Sequence, residues 1–160
     1  MKRHLKYTAI ISTAFLICTS GLYGQAKGSF EVTPVPAISS GSDDMAPVIL
    51  SDGILFCSNR KDNPFLTKKN LEGVRLYELY FAPFDENGKP GKPVRFGSNL
   101  GKDTNIGPAS VSPDGKTLYF TRNYIVGRKV KKNESNKLGI FTATRNGSQL
   151  SNIQPFEYND

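Results

Sequence analysis

The sequence predicts an all-β fold made of two four-stranded antiparallel units in series. Three observations carry that expectation. After the first two dozen residues no stretch shows a 3.6-residue apolar period. Short runs of β-branched and aromatic residues alternate with Gly, Pro and Asn turn signals. The chain also repeats itself: "APVILSDGILFCSNR" (46–60) reads like "GPASVSPDGKTLYFTRN" (107–123), and "LYELYFAPFDENGKPGKPVRF" (76–96) reads like "LGIFTATRNGSQLSNIQPF" (138–156). Pro47 matches Pro108, Phe56 matches Phe120, Asn59 matches Asn123 and Phe96 matches Phe156, a period near sixty residues. Repetition at about this length indicates stacked or radial units.

The elements follow in chain order. Met1 to Lys6 is basic, Tyr7 to Cys18 is uncharged and mostly apolar, and small residues lead to Gly24-Gln25-Ala26. That order of zones is the layout of a secretory signal peptide over residues 1–24, with cleavage expected after Gly24 or Ala26. The apolar run is shorter than the roughly 18 residues that a membrane span requires. Lipidation at Cys18 would need a small residue where Ile17 stands. Residues 25–45 follow as an N-terminal strand (30–35) and a link.

Residues 46–106 are the first repeat and 107–160 the second. In the second, Ala109–Ser112 is a short strand and Pro113-Asp114-Gly115-Lys116 a tight turn. Proline presets its dihedral there and glycine takes the left-handed position. Thr117–Thr121 and Leu138–Thr144 are the next strands, Asn146-Gly147 marks a hairpin, and Leu150–Phe156 is the fourth. The first repeat follows the same plan with Asn87-Gly88 at its second hairpin. Four-stranded antiparallel units in series are blades of a β-propeller, and rings of typically four to eight blades close such folds. Two blades are therefore an incomplete propeller.

The run Pro-x-x-Ser-Pro-Asp-Gly-Lys-x-Leu-Tyr-Phe, Pro108 to Phe120, resembles the WD-repeat-like β-propeller repeat of TolB-type proteins. Its setting is similar to envelope proteins of Bacteroidetes in which this propeller precedes an OmpA-like domain. The resemblance spans about residues 30–160, with a degenerate first copy. It implies an exported module of the periplasm or outer membrane that binds envelope proteins or peptidoglycan-associated partners and has no catalysis of its own. The rival reading is the N-terminal part of a prolyl-oligopeptidase-like hydrolase whose catalytic domain is absent. Sequence beyond Asp160 would separate them: an OmpA-like segment for the first, a Gly-x-Ser-x-Gly segment for the second.

Removing residues 1–24 takes Lys2, Arg3 and Lys6 with no acid, and the formal charge falls from +7 to +4. His4 and Cys18 go as well, leaving no histidine and one cysteine, Cys57. A His-containing triad and a His/Cys zinc site are thereby closed off, so no catalytic residue, cofactor or metal is expected. Cys57, inside Ile54-Leu55-Phe56-Cys57, reads as a buried small hydrophobe. Asp43-Asp44 and Asp85-Glu86-Asn87-Gly88 hold too few ligands for calcium and read as a self-bonding link and a hairpin turn. Asp52 and Asp114 occupy equivalent turns and share no site.

What remains is charge. Residues 60–75 hold five bases against two acids, and 126–137 five against one. Both loops join second to third strands and so crown one end of the blades. Lys68, Lys69, Arg128, Lys129, Lys131 and Lys132 are the partner-binding candidates, suited to an acidic partner or to peripheral contact with lipid head groups. No aromatics interleave them, which argues against nucleic acid. Open blade edges offer a second contact, self-association.

Overall fold

The computed structural model describes residues 28–29, 31–61, 69, 73–101, 104–124 and 137–159. The chain divides into two compact units, Met1–Thr33 and Pro34–Asp160. The proposed signal segment lies outside the described residues. Of the first unit, residues 28, 29 and 31–33 are described, and all are exposed.

The second unit is built from eight strands: β1 Asp44–Leu50, β2 Gly53–Ser58, β3 Glu78–Pro83, β4 Val94–Arg95, β5 Ile106–Val111, β6 Thr117–Asn123, β7 Leu138–Asn146 and β8 Gln149–Pro155. They form two four-stranded antiparallel sheets, ordered β1-β2-β3-β4 and β5-β6-β7-β8. No helix occurs among the described residues. The chain is thus all-β with the two sheets at the two expected repeats. The strand expected at 30–35 is not seen: 31–35 carry none, and Pro36–Ile38 form a turn whose Ile38 N–H donates to the Val35 carbonyl. The fourth strand of the first sheet is cut to two residues, since Pro90 and Pro93 have no N–H to donate to a ladder.

Side chains alternate across each strand and give each sheet two faces. Leu55, Cys57, Leu79 and Phe81 line one face of the first sheet. Leu118, Phe120, Phe141 and Ala143 line one face of the second, and the two faces pack together into the main core. Removing each large apolar side chain from water stabilises the fold by about 1.5–3 kcal/mol before entropy is counted. The opposite face of the first sheet, Ile54, Phe56, Tyr80 and Ala82, is a second core on which Ile38 and Phe84 pack. β2 is consequently buried on both faces along its whole length.

The repeats are equivalent in three dimensions. Phe56 stacks on Tyr80 with ring centroids 5.9 Å apart and planes at 29°, and Phe120 stacks on Phe141 at the same distance and angle. The Asn59 side-chain oxygen accepts from the Asp43 N–H, and that of Asn123 from the Asn105 N–H. Phe96 N–H donates to Leu79 and Phe156 N–H to Ile140, at matching positions. One detail shifts. Sequence alignment pairs Asp43 with Thr104, whereas these hydrogen bonds pair it with Asn105. The register irregularities between Met45 and Val48 and between Ile106 and Ala109 absorb the extra residue.

Candidate functional site

Strand order fixes which segments meet. The β1–β2, β3–β4, β5–β6 and β7–β8 turns lie at one end. The β2–β3 and β6–β7 loops and the 96–105 link lie at the other, where Ile106 N–H donates to the Tyr77 carbonyl. The basic loops therefore leave the sheets at one common end. Of the six partner-binding candidates, Lys68, Arg128, Lys129, Lys131 and Lys132 lie outside the described residues. Lys69 is exposed and bridges to Arg75.

Beneath those loops the polar side chains are engaged with one another. Asp44 accepts from Ser40 N–H, Ser40 Oγ and Ser58 Oγ, and pairs with Arg60 at 2.6 Å. Partial burial alone would raise its pKa, but those bonds outweigh it and hold the carboxyl below its ordinary value. The Arg60 guanidinium also donates to the Ile38 carbonyl and lies over the Phe56 and Tyr80 rings at 4.9 and 5.1 Å. Asp43 accepts from Asn59 and from the Tyr77 hydroxyl, whose pKa that bond raises. Asp43 and Asp44 thus serve the link and its neighbours, as the turn reading expects. Among the described residues no three His, Cys, Asp or Glu side chains converge.

The turn carboxylates are equally committed. Asp114 accepts from Ser112 Oγ and Lys116 N–H, which lower its pKa. Asp85 accepts from the N–H groups of Asn87 and Lys89 and closes its hairpin. Asp52 pairs with Arg145 at 2.7 Å, joining the first sheet to the second across 93 residues. Asp52 and Asp114 have separate partners and form no catalytic pair. Cys57 is buried, its Sγ 3.4 Å from the Ile106 carbonyl, and burial pushes the thiol up to about 11. A thiol so protonated is no nucleophile at neutral pH.

One concavity at this end has no signature in the sequence. A cavity of about 200 Å³ is lined by Glu78, Arg95, Phe96, Gly97, Ser98, Gly101 and Ile106. Arg95 and Glu78 pair across it at 2.8 Å. Phe96 and Ile106 are buried and form its apolar wall. The two charged residues are seventeen positions apart in sequence, and only β3–β4 pairing and the folded link bring them together.

Comparison with protein-family models, curated proteins and solved structures finds no match for this chain.

Proposed function

We propose that this chain is a non-enzymatic binding module of the cell envelope, and that its two sheets are consecutive blades of a TolB-like propeller. The observation that carries the reading is the repetition: two sheets with the same aromatic stack and the same asparagine clasp, packed face to face in chain order. Rigid sheets of this kind hold variable loops at fixed positions, where binding function concentrates. The loops at 60–75 and 126–137 supply the contact surface, with Lys68, Lys69, Arg128, Lys129, Lys131 and Lys132 facing an acidic envelope partner. Export by the segment 1–24 delivers the module to the periplasm or the outer membrane. Without histidine in the exported part, and with its cysteine protonated, the chain acts by binding.

Two measurements test this. Mass spectrometry of the exported protein is expected to find an N-terminus near Gln25 or Lys27; an intact Met1 in the exported pool would contradict it. Purified peptidoglycan sacculi are expected to co-sediment the exported protein at low salt and release it near 0.5 M salt, where screening is strong. A variant with the six basic residues changed to Glu is expected to stay in the supernatant. Equal sedimentation of variant and wild type would remove the basic loops from the partner surface.

A further inference from the structure

The cavity between β3, β4 and the 96–105 link is not something the sheet architecture requires. Structural equivalence places Gly139 where the first repeat has Glu78, and Pro155 where it has Arg95. The second repeat forms the same strands with neither charge. There the space over the strand is filled: a Cβ on Gly139 would run into the Tyr124 ring. The first repeat instead leaves a hollow and sets an acid and a base on its wall.

The chemistry of that wall is specific. Glu78 is 15% exposed and Arg95 38%, so both reach the hollow while anchored in the sheet. The site carries one charge of each sign. A lone anion or cation entering it would leave an uncompensated charge in a partly desolvated place, which is costly. A molecule bearing both charges leaves the balance unchanged: its carboxylate meets the guanidinium, which suits carboxylates in bidentate geometry, and its ammonium meets the Glu78 carboxylate. Buried Phe96 and Ile106 offer an apolar surface beside the pair. The volume lies below the roughly 300 Å³ where drug-sized ligand pockets begin, and so suits one small molecule. We propose that this cavity binds a free, zwitterionic α-amino acid with an apolar side chain. The proposal stands independently of the envelope reading and of the basic loops.

Equilibrium dialysis of the exported chain against radiolabelled L-leucine tests it, whatever the oligomeric state of the protein. Saturable binding of one leucine per chain is expected. N-acetyl-leucine lacks the ammonium and leucine methyl ester lacks the carboxylate, and each is expected to bind at least tenfold more weakly. Glu78→Gln and Arg95→Gln are expected to weaken leucine binding at least tenfold. Ser98→Phe, on an exposed turn, fills the hollow without touching the ion pair and is expected to abolish binding with the melting temperature unchanged. Absence of saturable leucine binding overturns the proposal. So does equal binding of the blocked forms, or undiminished binding by Ser98→Phe.

Discussion

Gly107 and Gly115 both carry positive φ, at 101° and 73°, for different reasons. At Gly115 a Cβ would have nothing within 4 Å, so only the backbone conformation of the tight turn demands glycine. Gly115→Val is expected to destabilise by a little over 1 kcal/mol, since β-branched residues tolerate that region poorly. At Gly107 a Cβ would meet Cys57 Sγ at 2.7 Å, because β5 runs directly against the face of β2. Gly107→Ala adds overpacking to the conformational cost and is expected to lose about 2–4 kcal/mol. Urea denaturation of both variants checks the order; equal losses would mean that the two sheets are not in close contact there.

Cys57 gives a pH-dependent expectation. Its thiol is held at about 11 against an ordinary value of 9.0. Between those values the folded chain keeps a proton that the unfolded chain releases. Stability therefore falls as pH rises from about 9 toward 11, by up to roughly 1.4 kcal/mol per pH unit. Cys57→Ala removes this slope, though it also leaves a small void. The same burial predicts negligible labelling by a thiol reagent at pH 8 until denaturant is added. Fast labelling of the native chain would place Cys57 outside the core.

Among the elements, those specified by local chemistry were legible in the sequence. Pro113-Asp114-Gly115-Lys116 and Asn146-Gly147 sit at the β5–β6 and β7–β8 turns, because the required dihedrals depend on the residues in the turn itself. The repeat located both sheets, since the aromatic pairs at its core occupy aligned positions. Contacts set by tertiary approach were not legible. The Asp52–Arg145 bridge joins the β1–β2 turn to β7, and the Glu78–Arg95 pair depends on a link whose course no spacing encodes. The absent strand at 31–35 shows the limit of analogy: Phe-Glu-Val-Thr-Pro-Val has strand composition, but a strand needs a neighbour to supply its hydrogen bonds.

The Asp52–Arg145 bridge also tests how firmly the sheets are joined. Arg145 is 11% exposed and its guanidinium approaches the Phe81 ring, whereas half of the Asp52 side chain faces water. Solvent screening limits the pair, and Asp52→Asn is expected to cost less than about 1 kcal/mol. Arg145→Ala removes the packing of its stem as well and is expected to cost more. A double-mutant cycle on denaturant midpoints reads the coupling between them. Zero coupling would mean that the bridge contributes nothing to the junction.

At the scale of the whole molecule, the two sheets cover each other on one face each. The far face of the second sheet, Tyr119, Thr121, Ile140 and Thr142, has no third sheet against it among the described residues, and Ile140 is 42% exposed. β4 and β8 are sheet edges, and exposed Val94 on β4 adds apolar surface there. In a propeller, a neighbouring blade would cover that face. Open edges and apolar faces favour association between chains. Size-exclusion chromatography with light scattering on the chain from Gln25 to Asp160 tests the incomplete-propeller reading most directly. The expected result is a self-associated species containing more than one chain. A monodisperse monomer with a single cooperative melting transition would show that two sheets suffice as a closed unit, and would contradict it.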